Sequence, residues 1–137
     1  MTPTVKFELV SPERLLKSEP VEMVVIPGAE GDIGVLPGHS LLIATMRPGV
    51  IDIHKDGLVV EQIFISGGFA EVMPERCTVL AEEATPVNDI NQEEAEKRLN
   101  DAKTMLAKAE ASDQGYTSIA YKEVDTAEAL VSAINQT

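Results

Sequence analysis

The sequence predicts a mainly β N-terminal domain, residues 1–86, followed by a C-terminal α-helical hairpin, residues 87–137. Three observations point to this division. All eight prolines and eight of the nine glycines lie in residues 1–86. There they separate short stretches rich in β-branched residues, as turns separate strands. From residue 88 onward, apolar residues recur instead at the three- and four-residue spacing of helices.

Seven stretches of the N-terminal region are predicted to be strands, because they are short, apolar and in many cases alternating. In order they cover residues 5–9, 21–26, 42–46, 50–54, 58–65, 69–73 and 77–82. They recur about every eight to twelve residues, which favours an antiparallel sandwich or barrel over βαβ units. Lys55-Asp56-Gly57 indicates a tight hairpin, because Asp and Gly tolerate the positive φ angles of such a turn.

The first helix is predicted to begin after Asn91 as its cap, with Glu94 at the third helical position. Ser112-Asp113-Gln114-Gly115 is expected to end it. Its apolar stripe consists of Ala95, Leu99, Ala102, Leu106 and Ala109.

The second helix is predicted to be capped at Asp125, with Glu128 at the third position. Its apolar face consists of Ala127, Leu130, Val131 and Ile134. Alanine-rich stripes let two helices approach closely. A hairpin of this size buries too little apolar surface to be stable alone, so we expect it to pack on the β domain or on another protein.

Composition narrows the possible partners. With 11 Lys and Arg against 23 Asp and Glu, the chain has a net charge of −12. Nucleic acid and anionic lipid bind to cation-rich surfaces, so neither is expected as a partner. A single cysteine excludes an internal disulfide. The first eight residues lack the pattern of a signal peptide, and no apolar run approaches the roughly 18 residues that cross a bilayer. We expect an acidic protein of a reducing compartment without membrane insertion.

The two histidines and the single cysteine do not indicate a metal or redox site. His54 alternates with Ile51 and Ile53 and is expected to face solvent. His39 has no second His or Cys at metal-ligand spacing. Cys77 lies on the apolar side of its strand, where a lone cysteine is usually a small buried hydrophobe.

The glycine-rich segments do not indicate catalysis either. Ser66-Gly67-Gly68 lacks the Gly-x-Ser-x-Gly frame of a nucleophile elbow. Residues 27–34 lack a following Gly-Lys-Ser/Thr, and their two carboxylates would repel phosphate. Residues 30–39 combine four glycines and prolines with two carboxylates and an imidazole. Spacing alone leaves two interpretations open for this segment, an ordinary hairpin or a polar end of the sandwich that docks on a partner.

Four motifs occur in the order found in the epsilon subunits of F-type ATP synthases. They are EGDIGVLPGH at residues 30–39, RPG at 47–49, SGGFAEV at 66–72 and VLAEEA at 79–84. The chain therefore resembles that family over essentially the whole first domain, and the two-helix region fits the family's layout.

The resemblance implies a ten-stranded β-sandwich with a C-terminal helical hairpin. It also implies a non-catalytic central-stalk subunit without a cofactor, bound to the gamma subunit and the c-ring and turning with both. Such a subunit lies on the cytoplasmic side of the bacterial plasma membrane, and its hairpin contacts the alpha and beta subunits transiently. By the same resemblance, Glu30 and Asp32 face the c-ring, and Ser11 and His39 lie near the contact between gamma and the c-ring.

Some family members bind ATP through Ile/Leu-Asp-x-x-Arg-Ala at the start of the first helix. The corresponding residues here are Ile90, Asn91, Glu94 and Ala95, so Asn replaces the Asp and Glu replaces the Arg. A carboxylate in place of the guanidinium would repel phosphate. We therefore predict that this degenerate motif binds ATP weakly or not at all.

The charge of the hairpin also departs from the family. In members that block ATP hydrolysis, the second helix carries basic residues against an acidic segment of the beta subunit. Here residues 87–137 hold five basic and ten acidic residues, and no Lys or Arg follows Lys122. Like charges oppose such an insertion. We expect the hairpin to stay folded against the sandwich and to inhibit weakly.

Two further functions compete with the stalk subunit. One is a free-standing nucleotide-sensing β-sandwich module, which Asn91 and Glu94 disfavour. The other is a small β-sandwich enzyme, which the missing nucleophile, base and metal ligands disfavour.

Overall fold

The structure of the chain is a computed structural model that describes residues 2–112 and 117–135. It divides into two compact units, Met1–Val87 and Asn88–Thr137. The first unit contains ten strands and the second contains two helices. The predicted combination of a mainly β N-terminal domain and a C-terminal helical hairpin is confirmed.

The ten strands form one continuous sheet. In chain order they are β1 Val5–Val10, β2 Leu15–Val21, β3 Met23–Gly28, β4 Gly31–Val35, β5 Leu42–Met46, β6 Gly49–Lys55, β7 Leu58–Ile65, β8 Gly68–Val72, β9 Arg76–Ala81 and β10 Ala84–Pro86. Their order in the sheet is β10-β7-β6-β3-β5-β8-β9-β1-β2, and β4 also pairs with β3.

One strand pair departs from the predicted antiparallel arrangement. β1 and β9 run parallel, from Lys6 beside Arg76 to Val10 beside Leu80. A parallel pair needs a long connection. Strands β2 to β8 all lie between these two strands in the chain, so the connection is long enough.

Alternate residues of the strands build a single apolar core. Its members come from strands near both ends of the sheet order, which means that the sheet curls over one shared interior as a sandwich. The largest fully buried side chains include Phe7, Leu9, Ile26, Ile51, Ile53 and Ile65. His54 is half-buried beside the fully buried Ile53, so the predicted alternation of this strand is confirmed.

The predicted Asp56-Gly57 turn is confirmed, and a second position, Gly68, requires glycine for a different reason. Asp56 and Gly57 both have positive φ, at 54° and 75°, and join β6 to β7 as a tight hairpin. Gly68 has a φ of 144° where β8 begins, and a Cβ at this position would overlap the carbonyl oxygen of Leu80. Only glycine therefore lets the chain enter β8 so close to β9.

Strands β2, β4 and β10 were not among the seven predicted from the pattern. β2 carries Lys17 and Glu19 on its inner side, opposite the buried Leu9 and Phe7 of β1. β4 contains two glycines, and β10 has three residues. Charge, glycine and short length each remove the apolar alternation on which strand prediction depends.

The inward-facing charges of β2 form an ion-pair cluster with β6 and β7, which we call the charged seam: Lys17, Glu19, Lys55 and Glu61. Lys17 Nζ lies 2.7 Å from Glu61 Oε2 and 3.5 Å from Glu19 Oε1. Lys55 Nζ lies 3.7 Å from Glu19 Oε2. Because β2 ends the sheet order while β6 and β7 lie near the opposite end, the seam links the two margins of the curled sheet.

The electrostatics of the seam centre on Lys17. Burial lowers the pKa of Lys17, but the hydrogen bond and charge of Glu61, together with Glu19, outweigh it and raise the pKa above its ordinary value of 10.5. A group whose pKa is raised by folding stabilises the fold below its unfolded pKa, and this contribution is lost as the pH rises through the folded pKa.

In the second unit, α1 spans Gln92–Ser112 and α2 spans Thr117–Asn135, after a 3₁₀ turn at Val87–Asp89. The predicted cap of α1 is confirmed, because Asn91 Oδ1 accepts a hydrogen bond of 3.0 Å from the backbone N–H of Glu94. The predicted apolar stripe is also confirmed. Ala95, Ala102 and Ala109 are buried, and Leu99 and Leu106 are half-buried.

The prediction that Asp125 caps α2 is wrong. Asp125 lies inside the helix and is exposed. Ala120 and Val124 are buried and extend the apolar stripe of Ala127 towards the N-terminus, and the packing of Val124 against α1 favours an earlier start of the helix. Of the segment expected to end α1, residues 113–115 lie outside the described part of the chain.

We predict that Lys17→Met lowers the free energy of unfolding by about 1 kcal/mol, because Glu61 and Glu19 lose their cation in a partly buried site. Urea unfolding at neutral pH measures this change. As the pH rises from about 10.5 through the higher pKa of Lys17 in the folded chain, the difference between the natural chain and the variant should shrink, because Lys17 loses its charge first in the unfolded chain and then in the folded one.

Lys6→Met provides the matched control, since Lys6 is exposed on the outer side of the neighbouring strand β1. It should change the stability by less than about 0.5 kcal/mol at both pH values. An equal loss in the two variants, or a difference that persists at alkaline pH, would contradict a stabilising role of the seam.

Candidate partner-binding site

Strands β5, β8 and β9, together with Leu41 immediately before β5, expose apolar side chains to solvent. We call Leu41, Ile43, Phe69 and Leu80 the apolar outer face. Their exposed fractions are 72%, 78%, 57% and 52%. Phe69 is the register partner of Leu80, which in turn lies beside Val10 of β1. Adjacent strands are about 4.8 Å apart, so Phe69, Leu80 and Val10 adjoin in one apolar row, while Ile43 lies one residue pair further along, opposite Glu71.

Strand geometry forces these residues outward. In β8 the alternate residues Ala70 and Val72 are buried, and in β9 Cys77 and Val79 are buried. Phe69 and Leu80 therefore point away from the core. Scattered exposed hydrophobic residues are normal on a soluble protein, whereas a contiguous apolar patch indicates an interaction surface.

Ser11 and His39 border this face at opposite ends of its strands. Ser11 follows β1 and, with Phe69 and Leu80, lines a shallow apolar depression of about 280 Å³. His39 precedes β5, at the end where Leu42 pairs with Val72. The structure therefore does not bring these two predicted residues together. It places them at opposite ends of the strands that form one face of the sheet.

Both bordering residues are held by local hydrogen bonds. The Ser11 hydroxyl donates to the carbonyl oxygen of Arg14 at 3.3 Å. His39 Nδ1 lies 2.7 Å from the carbonyl oxygen of Ser40. A carbonyl only accepts, so Nδ1 carries a proton in this contact.

The predicted acidic pair lies at the junction of β3 and β4, with Glu30 in the turn and Asp32 as the second residue of β4, and both are exposed. Their surroundings differ. Arg47 Nη2 lies 2.6 Å from Asp32 Oδ1, and Arg47 Nη1 donates to the carbonyl oxygen of Gly28 at 2.6 Å. Within the described residues, no cation lies within ion-pair distance of Glu30. Glu30 is thus the free carboxylate of the turn.

Three further features of the described residues bear on reactivity. Cys77 is buried, as predicted, and burial raises the pKa of its thiol to about 12, so the thiol stays protonated at neutral pH. The Ser66 hydroxyl is buried and has no hydrogen-bond partner among the described residues, so no base is in position to activate it. Across residues 2–112 and 117–135, no group of three or more His, Cys, Asp and Glu side chains could hold a metal ion.

The degenerate nucleotide motif lies at the start of α1. Ile90 is half-buried, Asn91 and Glu94 are exposed, and Ala95 is buried. Asn91 is engaged as the helix cap through Oδ1 and also accepts a hydrogen bond of 2.9 Å from Ala95 N at its carbonyl oxygen. Its side-chain oxygen is therefore committed to the helix.

A depression of about 460 Å³ between α1 and α2 is lined by Glu94, Lys97, Arg98, Asp101 and Glu123, with apolar neighbours. Arg98 is paired with Glu123, with 2.8 Å between Nε and Oε1. Three carboxylates against two cations make the depression a poor site for a polyphosphate.

Sequence reasoning missed the apolar outer face and the contacts of Arg47. The outer face had a detectable signal, because Phe69 and Leu80 are apolar at positions where alternation calls for polar residues. The contacts of Arg47 had no such signal, since Asp32 is 15 residues away in the chain and only the fold joins them.

The chain is similar to known proteins over most of its length. Residues 4–87 match the family described as ATP synthase, delta/epsilon chain, beta-sandwich domain. The ATP synthase epsilon chain of Rhodospirillum rubrum is 49% identical over 133 residues, which cover 97% of this chain and 98% of that one. The corresponding protein of Paramagnetospirillum magneticum is 55% identical over 111 residues, 81% of this chain and 84% of that one.

The fold is also found in solved assemblies. A chain in the cryo-EM structure of the Euglena gracilis mitochondrial ATP synthase, OSCP/F1/c-ring in rotational state 1, superposes with a TM-score of 0.81 at 28% identity, covering 98% of this chain and 84% of that chain. A chain of the Tetrahymena thermophila mitochondrial ATP synthase central stalk and c-ring shares the fold, with a TM-score of 0.53 at 12% identity, covering 64% and 70%.

Proposed function

The chain belongs to the ATP synthase epsilon chain family, and from this membership we propose that it is a non-catalytic rotor subunit of the central stalk. It couples rotation of the c-ring to ATP synthesis by binding the gamma subunit and the c-ring. The apolar outer face is the observation that carries this proposal, because it is the kind of surface that a permanent partner buries.

The gamma subunit occupies the apolar outer face in this proposal. Phe69 and Leu80 supply the central apolar contacts, and Ser11 and His39 contribute polar contacts at the two ends. Interfaces commonly have this arrangement, with an apolar centre that carries most of the binding energy and a polar rim.

The c-ring meets the turn between β3 and β4. Glu30 is the unpaired carboxylate of this turn, whereas the charge of Asp32 is balanced by Arg47. Glu30 is therefore the residue that recognises a basic loop of the ring, and a rim charge of this kind sets specificity and association rate more than affinity.

Attachment to the membrane is indirect. No described helix is long and apolar enough to span a bilayer. We place the subunit peripherally, on the cytoplasmic side of a bacterial plasma membrane, where the c-ring holds it.

The hairpin is a weak inhibitor and a poor ATP binder in this proposal, and its contacts with the alpha and beta subunits are transient. The net negative charge of residues 87–137 and the pairing of Arg98 with Glu123 support both points. The alternative, a free-standing nucleotide-sensing module, requires ATP binding by the isolated chain and is tested by the same titration.

We predict that Leu80→Ser and Phe69→Ser each weaken binding of the gamma subunit at least about tenfold, because each removes a central apolar contact. Binding of purified gamma to the immobilised chain measures the change. Leu58→Ser is the matched control, since Leu58 is 67% exposed on β7 and lies outside the proposed interface. Equal affinities for gamma across all three variants would refute the assignment of this face.

We predict a dissociation constant for ATP above about 100 μM, measured by calorimetric titration of the isolated chain. Asn91→Asp combined with Glu94→Arg restores the family motif and should tighten binding at least about tenfold, because a guanidinium then faces the phosphates. A lower dissociation constant for the natural chain would favour the nucleotide-sensing alternative.

We predict that a chain ending at Val87, reconstituted into ATP synthase lacking the natural chain, raises the ATP hydrolysis rate less than about twofold, because like charges already oppose insertion of the hairpin. Enzyme reconstituted with the full chain is assayed in parallel. A rise of many fold on truncation would show a strongly inhibitory hairpin.

A further inference from the structure

We propose that Arg47 is a positioning residue, which holds the turn between β3 and β4 against β5 so that Glu30 is presented to the c-ring. This inference rests on the proposed docking of the turn to the ring. We call the contacts of Arg47 with Gly28 and Asp32 the Arg47 clasp.

The clasp fastens both sides of the turn. Arg47 Nη1 donates to the carbonyl oxygen of Gly28, the last residue of β3, at 2.6 Å. Arg47 Nη2 contacts Asp32 Oδ1, on the opposite side of the turn in β4, at 2.6 Å. Ala29 and Glu30 are the two residues between these strands. The guanidinium thus bridges the two ends of the segment that carries Glu30.

The backbone prepares Arg47 for this contact. Its N–H donates to the carbonyl oxygen of Pro27 at 2.9 Å, and Ala29 N–H donates to the carbonyl oxygen of Thr45 at 2.8 Å. These bonds lay the end of β3 along β5. The planar guanidinium carries several donors and reaches a carbonyl and a carboxylate together from this position. The single ammonium of a lysine does this less well.

The clasp affects position more than stability. The side chains of Arg47 and Asp32 are 43% and 62% exposed, and exposed ion pairs stabilise a fold only slightly. Glu30 and Asp32 are exposed, so the core does not fix the tip of the turn. A contact that adds little to the stability of the whole domain can still decide how firmly an exposed loop is held.

For Arg47→Met, the clasp and a purely electrostatic role predict opposite changes in the affinity for the c-ring. Arg47→Met frees the charge of Asp32 and makes the turn more negative, so charge alone would tighten binding to a basic ring loop. Asp32→Asn would then weaken it, and the double variant, with unchanged net charge, would bind normally. If Arg47 acts by positioning, both single variants and the double variant weaken binding by a similar factor, about three- to tenfold.

The experiment measures the affinity of each variant for detergent-solubilised c-rings from the source organism. Lys103→Met is the matched control for the loss of one positive charge, because Lys103 is exposed on α1, far along the chain from the turn. It should leave the affinity unchanged. Arg47→Lys should recover part of the affinity, since Lys keeps the charge but reaches one acceptor at a time. The midpoint of thermal unfolding should fall by less than about 5 °C in every variant.

A partner-free measurement separates the clasp from the docking. In the isolated chain, amide exchange at Ala29 should accelerate at least about threefold in Arg47→Met, while exchange in the core of β9 stays constant. Tighter ring binding by Arg47→Met, or unchanged exchange at Ala29, would overturn the positioning role. Faster exchange with unchanged affinity for the ring would support the clasp but overturn the proposed docking of this turn.

Discussion

A β-strand has two faces, and this chain can bury only one of them in its own core. In β8 and β9 the buried set Ala70, Val72, Cys77 and Val79 fixes which side chains point outward. Phe69 and Leu80 therefore remain in water, where apolar surface is unfavourable until a partner covers it. The same alternation that stabilises the domain thus exposes the surface that we propose for docking, and it buries Cys77.

Much of the fold could be predicted because its elements carry local patterns. The helix cap at Asn91 and the Asp56-Gly57 hairpin are encoded within a few residues, and the structure agrees with both. The prediction of secondary structure failed where contacts between distant parts of the chain determine whether a strand forms or where a helix begins. β2 was missed because it carries charged residues, and only the fold brings Glu61 of the distant β7 to pair with Lys17. α2 starts before Asp125 because burial against α1 outweighs a good capping residue.

The site was predictable to a smaller degree, for a similar reason. The motif at residues 30–39 carries Glu30, Asp32 and His39, and the family resemblance also named Ser11, but neither reveals which charge is already paired. Asp32 and Glu30 are equivalent in the sequence, and only the fold distinguishes them, by bringing Arg47 to one of the two. Such long-range pairing changes the electrostatics of a surface without changing its composition.

The charged seam also bears on aggregation through the exposed margins of the sheet. A sandwich has exposed strand margins, and a strand from another molecule can add to such a margin and begin aggregation. Any such addition beside β2 would have to strip water and partners from Lys17, Glu19 and Glu61, which point towards the interior. The cost of isolating those charges makes the margin of β2 a poor template for the addition of a second copy of the chain.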